Sequence, residues 1–432
     1  MAGAQVALDI AAARQLAAVL LLDSQPMAAR EVLRELLRAD PDDPQLLINM
    51  SRAQRALGES AAAVSAGRRA YQLATTDIER HVAARVTAQA LSSDGRRNSA
   101  QFWLRRAAQF APDPAALART RQDFAYVAAR NPWSLSLDFA ATPTDNINGA
   151  PTTNTFTLGG LTFIDPTAEP ISGVQLRYGA RVAYRLPATQ TRQSELHLRY
   201  QAVRTILGAE ADSIAPTLEP GDLAFDTLEL GWSAKTLRPD AQSQIDTSLV
   251  AFGNWSAQDL HETGLRGTVG YSWPVGTLGQ MRAALTGERR IRADNADRSA
   301  TVLGFDASYA HRLENGDRAR VMISYGDTAS ASLSVAHDAT GLLFGYDFSQ
   351  PVLGAQVGLT AGWDMAQYDG PLYGAEARHD DKVTMNASAT LGAISYYGFA
   401  PVIDLDYTRN HSNISTFDSE TFALGLGFRS TF

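Results

Sequence analysis

The side chains able to do chemistry in this chain are scattered. Seven histidines stand at His81, His197, His261, His311, His337, His379 and His411, and no two share metal-ligand spacing. There is no Gly-x-Ser-x-Gly, no His-Glu-x-x-His and no Gly-rich phosphate loop. Cysteine is absent, which removes disulfides, thiolate ligands and thiol nucleophiles together. Arg292–Arg298 spaces its acids like part of a calcium loop, yet it lacks the Gly and the closing Glu, so a solvated loop is expected. The sequence therefore predicts no catalytic residue, no metal, no cofactor and no enzyme. What remains is recognition chemistry. Thr144-Asp145-Asn146-Ile147-Asn148 concentrates side chains that bond nearby backbone and tolerate left-handed turns. The pairs Arg68-Arg69, Arg96-Arg97 and Arg105-Arg106 are candidates to line a polypeptide groove, or else form a solvated face.

Two kinds of element must carry these residues. Residues 1–131 hold 17 Arg, no Lys and 13 acids, while the remainder holds 21 basic and 33 acidic residues. Ala, Leu and Arg dominate the first part; Gly, Thr, Ser, Tyr and Asp dominate the second. We place a domain boundary there, giving 1–131 and 132–432. In the first part Ser24, Ala29, Leu36 and Pro41 recur as Gly58, Ala63, Ala70 and Thr75, then as Gly95, Ala100, Ala107 and Pro112. The offsets are 34 and 37 residues, the period of tetratricopeptide helix pairs, with a three-residue slip around Asp77–Gly95. Small residues let paired helices approach, and stacking buries faces that no repeat buries alone. Three repeats and a final helix over 115–130 are predicted. Leu16–Leu22 is the most apolar run. No basic segment precedes it and no small-residue cleavage site follows, so it reads as helix. The export signal expected of such a protein is missing, as from a mature chain restarted at Met1.

After Pro132 the period becomes two. Leu196, Leu198 and Tyr200 alternate with Glu195, His197 and Arg199; Val383, Met385 and Ala387 alternate with Lys382, Thr384 and Asn386. Strands of roughly ten residues, apolar on one face and polar on the other, with Tyr and Trp near their ends, suit lipid outside and a polar lumen inside. Short turns are expected at 187–193, 238–241, 274–277, 314–317, 350–354 and 393–400. Long polar connections are expected around 207–221, 254–263, 291–298, 327–338, 367–380 and 410–418. The first strand is read as Trp133–Thr142 and the last as Thr421–Phe432. Placing six short-turn hairpins between them predicts fourteen antiparallel strands, with both ends of the barrel on the periplasmic side. Thr155–Ile164 is assigned to a small hairpin inside a long first outer connection. Phe422, Leu424, Leu426, Phe428 and Phe432 share one face of the last strand, and a terminal aromatic is the mark by which the assembly machinery reads a closing strand.

A Trp-led first strand running from Trp133 to the Asp145-Asn146-Ile147-Asn148 segment, between a tetratricopeptide domain and a barrel, resembles the surface lipoprotein assembly modulator (Slam) family. The resemblance implies a periplasmic repeat domain ahead of a 14-stranded outer-membrane barrel. It also implies help in moving lipoproteins, or secreted haem- or metal-acquisition proteins, to the cell surface. The partners implied are the client, the barrel assembly machinery and outer-membrane lipid, with no nucleic acid. Trp133, Asp145, Asn146 and Asn148 would then shape the first strand's end or touch a moving client; Phe428 and Phe432 would close the barrel. A passive porin and a polysaccharide exporter are the alternative readings.

Overall fold

The computed structural model describes residues 9–158, 161–165, 168–240, 242–372 and 376–430. Phe432, the predicted terminal aromatic, lies outside the described residues. The chain divides into two compact units, one built on residues 1–132 with short segments 395–399 and 430–432, the other on Trp133–Ile394 and Ala400–Arg429.

Helices fill the first unit: α1 Ile10–Leu22, α2 Pro26–Ala39, α3 Pro44–Ala56, α4 Ser60–Leu73, α5 Asp77–Ser93, α6 Arg97–Gln109 and α7 Pro114–Arg130. The repeat is visible in the backbone. Ser24, Gly58 and Gly95 all take positive φ, at 58°, 80° and 77°. Each is followed by the same six-residue closure, with Gln25 N–H bonding Leu20 O, Glu59 N–H bonding Gln54 O and Arg96 N–H bonding Leu91 O. These are left-handed caps that turn one helix onto its partner. Ala29, Ala63 and Ala100 are completely buried, as the close packing of helix pairs requires. Asp43 and Asp113 cap α3 and α7 ahead of a proline, and Thr76 with Glu79 forms a capping box on α5. The three-residue slip is one extra turn: α5 has 17 residues where α3 has 13. No described helix is long and apolar enough to cross a membrane.

The second unit is strands: β1 Trp133–Thr144, β2 Thr155–Leu158, β3 Leu161–Ile164, β4 Gly173–Arg185, β5 Arg192–Leu207, β6 Phe225–Leu237, β7 Gln244–Ser256, β8 Asp259–Val275, β9 Gly279–Arg292, β10 Ala300–Arg312, β11 Arg318–Ser330, β12 His337–Asp347, β13 Gln356–Leu372, β14 Glu376–Thr390, β15 Phe399–Ser412 and β16 Ser419–Ser430. Among the described residues β2 and β3 pair only with each other, within the first long connection. The other fourteen close into an antiparallel barrel in which β16 meets β1. Closure removes every sheet edge, which is what a spanning sheet in lipid needs.

Two expected long connections are corrected. Over 254–263 the ladder continues to Ser256 and resumes at Asp259, leaving only Ala257 and Gln258, at φ 49° and 73°. Over 367–380 the strands β13 and β14 run to Leu372 and from Glu376. Polar residues there mark where strands leave the lipid, not where they stop pairing. β1 also runs on through Pro143 to Thr144, two residues past the predicted end.

Candidate functional site

Register decides which side chains face lipid. Leu135 pairs with Val182, Val182 with Leu198 and Leu198 with Leu230, so these stand on one outward band across β1, β4, β5 and β6. Leu135 is 65% exposed and Leu230 60%, values that an aqueous protein avoids across so wide a band but a bilayer requires. Trp133, Tyr184, Trp232, Trp273 and Tyr346 sit on the same face near one rim, and Trp133 packs on Tyr184 with ring centroids 4.7 Å apart. The barrel is thus of the outer-membrane type by its own geometry.

The opposite face lines the lumen, and its two walls differ. From β4 to β10 it is a ladder of ion pairs. Arg181 meets Glu195 at 2.5 Å, Glu229 lies 3.6 Å from Arg199, and Arg282 bridges Asp246 at 2.9 Å and Asp306 at 2.8 Å. Glu288, almost completely buried, receives both Arg266 and Arg290. The wall from β12 to β16 is thinner. Gly341, Gly345, Gly358, Gly362, Gly425 and Gly427 share that face with Asp364, Thr384, Asn386, Asp404 and Asp406. Removing Glu288 leaves two guanidiniums facing each other in a restricted space. Glu288→Ala is expected to destabilise the barrel by about 1–3 kcal/mol, less than a fully buried pair because both arginines are partly solvated. Urea unfolding in detergent checks this, and an unchanged midpoint would remove Glu288 from the barrel's supports.

The seam between β1 and β16 is less continuously paired, among the described residues, than the β1–β4 junction. On its β4 side, β1 pairs residue by residue from Trp133 to Thr144. On its β16 side the pairs among the described residues are Phe139 with Phe428, Ala140 with Gly427, Ala141 with Leu426 and Thr144 with Ala423. The interruption falls at Thr142 and Pro143, and proline has no N–H to give. Immediately beyond, the predicted motif takes over from the ladder. Asp145 accepts the Phe422 N–H at 3.1 Å, and the Asn146 amide donates to Glu420 O at 3.2 Å and Ala150 O at 2.8 Å. Asn146 Oδ1 accepts the Ala150 N–H at 2.8 Å. Asn148 closes the base of the long connection, donating to Glu169 O at 2.9 Å and accepting the Ile171 N–H at 3.0 Å. Gly149 follows at φ 63°, a conformation glycine adopts without penalty. The same connection is tied to the turn between β15 and β16 by Thr152 on Asp418, which also holds Arg409 at 2.8 Å and His411 at 2.9 Å. Burial opposes charge on Asp418, but Thr152, His411 and Arg409 outweigh it and keep the carboxyl below its ordinary range.

The structure thus brings Asp145, Asn146 and Phe428 to one seam, with Asn148 beside it and Trp133 at the far end of β1. Replacing Asp145 and Asn146 together by Ala is expected to speed hydrogen exchange about tenfold at the Phe422 end of β16, given about 1 kcal/mol per lost hydrogen bond. Exchange at the β4–β5 junction should not change. Equal protection in the variant would mean that the motif does not hold the seam.

In the helical unit Arg68 and Arg69 stay together, while Arg96 parts from Arg97 and Arg105 from Arg106. Arg68, Arg69 and Arg96 surround a hollow of about 450 Å³ beside α4, on the second helices of the pairs. Arg106 stacks over Tyr71 and Trp103. The first helices carry a different set that the sequence reading passed over. Arg55 on α3 and Arg130 on α7 join Arg97 around another hollow of about 410 Å³, and Arg85 on α5 pairs with Asp123 of its lining.

No family model matches the chain, and no curated protein matches it. Among solved structures, the type III secretion translocator chaperone SycD of Yersinia enterocolitica is 16% identical over 27% of this chain and 82% of its own, with a TM-score of 0.25. OmpT of Vibrio cholerae, an outer-membrane protein lacking its loop L8, is 8% identical over 69% of this chain and 99% of its own, at 0.34. OccAB2 of Acinetobacter baumannii is 8% identical over 68% and 97%, at 0.37. At these TM-scores the likenesses add nothing to the fold already described.

Proposed function

We propose that this protein is a non-enzymatic export accessory of the outer membrane, of the kind the surface lipoprotein assembly modulators represent. Its helical unit, in the periplasm, would hold a client polypeptide or that client's chaperone. Its barrel would give the client a route to the cell surface. The observation that carries this reading is the β1–β16 seam: a ladder interrupted at Pro143 and fastened beyond it by Asp145 and Asn146. A passive pore has no use for a fastened seam or for a stack of helix pairs. A polysaccharide track calls for aromatic rings along the lumen, whereas this inward face carries mainly Arg, Asp, Thr and Gly. No nucleotide motif is present, so client binding or folding outside would supply the free energy.

The test is surface display. The probe is the secreted or lipid-anchored protein encoded beside this one, epitope-tagged and co-expressed in a Gram-negative host. Antibody labelling of intact cells should require the full chain. Equal labelling without it, or a neighbourhood of glycosyltransferases and no such protein, would overturn the reading.

A further inference from the structure

The first helices of the repeats stand side by side, and the arginines they carry converge. Arg55, Gln89, Arg97, Asp123, Tyr126 and Arg130 line the hollow of about 410 Å³, drawn from α3, α5, α6 and α7. Arg85 on α5 pairs with Asp123 of the lining, and Arg52 on α3 feels the charges of Arg85 and Arg55. Against the three lining guanidiniums, Arg55, Arg97 and Arg130, the lining holds one carboxylate, Asp123, and it is already taken by Arg85 at 2.8 Å and Gln89 at 3.5 Å. Arg55, Arg97 and Arg130 make no ion pair among the described residues. The Arg52 guanidinium is held below its ordinary value, first by the protein packed around it and then by repulsion from Arg85 and Arg55, although its side chain keeps contact with solvent. Like charges gathered in one concavity cost free energy in the empty protein and are relieved when an anion enters. Tyr126 is 55% exposed at the same place, with the Arg130 guanidinium 3.6 Å from its ring centre. That leaves an apolar face beside the charges.

We infer that this groove binds an extended acidic peptide segment, its carboxylates on Arg55, Arg97 and Arg130 and an apolar side chain against Tyr126. The inference rests on the export reading only for the source of the peptide, a client or its chaperone. A peptide suits the site better than a compact anion because the cations are spread over several helices rather than focused on one point. Arginine forks match carboxylates with paired hydrogen bonds, and an exposed aromatic supplies an anchor.

The experiment uses the full chain in detergent and a short fluorescent peptide rich in Asp, Glu and Tyr. Anisotropy should show binding that weakens with salt, and a matched Asn, Gln and Tyr peptide should bind at least about tenfold more weakly. Arg55→Glu with Arg130→Glu should lose the acidic peptide, and Arg55→Gln with Arg130→Gln should fall between. Helical circular dichroism and melting confirm that each variant is folded. Equal affinity for the two peptides, unchanged affinity in the folded charge-reversed variant, or equally tight competition by polyphosphate would each overturn the inference. Unchanged peptide affinity in the folded Glu variant, with client display intact in the parental chain, would sink the groove and leave the export reading standing. Peptide binding without any client display would do the reverse.

Discussion

A chain from which residues 1–131 have been removed, with an export signal fused ahead of Pro132, is expected to assemble its barrel and fail to display the client. Labelling of intact cells should fall to background while the protein itself stays in the outer membrane and resists unfolding. The expectation follows from where the structural supports lie. All fourteen barrel strands lie between Trp133 and Ser430, each hydrogen-bonded to its neighbours. The helical unit has cores of its own, one around Ala63, Leu91, Trp103 and Leu104 and another around Leu33, Leu46 and Met50. Both cores are built from helix residues alone. A loss of display with an intact barrel assigns capture to the helices. A barrel that fails to assemble would show instead that they serve folding, and undiminished display would remove them from the pathway.

Much of this architecture was legible in the residues. Ser24, Gly58 and Gly95 marked the turns because a left-handed cap admits few residue types, and the spacing between them gave the repeat. The barrel strands were legible because lipid imposes a two-residue period that soluble loops do not keep. The strand ends were harder to see. Ala257 and Gln258 make a two-residue turn at positive φ without the Asn-Gly or Gly-Gly signal that usually announces one. Nothing local could have shown that the polar residues around 254–263 continue to pair. The Asp145–Asn148 segment was legible as a polar run at a strand end, but its partners, Glu420 and Phe422, lie some 275 residues away along the chain. Consecutive residues on a helix point about 100° apart, and Arg105 stacks on Phe124 while Arg106 stacks on Tyr71 and Trp103. Arg68 and Arg69 nevertheless line one hollow together with Arg96. The set around the other hollow, Arg55, Arg97 and Arg130, is dispersed over α3, α6 and α7 and comes together only when the helices stack.

The second large effect concerns the seam itself. Ala141 and Leu426 face each other across it, and paired strand positions bring Cα atoms within a disulfide's reach. The chain has no cysteine, so Ala141→Cys with Leu426→Cys introduces the only thiols. Ala180→Cys with Tyr200→Cys, paired across the fully laddered β4–β5 junction, is the matching control. A covalent bond at the seam leaves the closed barrel unchanged and forbids only its parting. The decisive measurement is client display in intact cells carrying the seam pair, oxidised and then reduced. The account predicts display near background when oxidised, recovery to the parental level on reduction, and no effect of either treatment on the control pair. Full display from the oxidised, demonstrably cross-linked seam would contradict it, and the route would then have to lie through a lumen that never opens sideways.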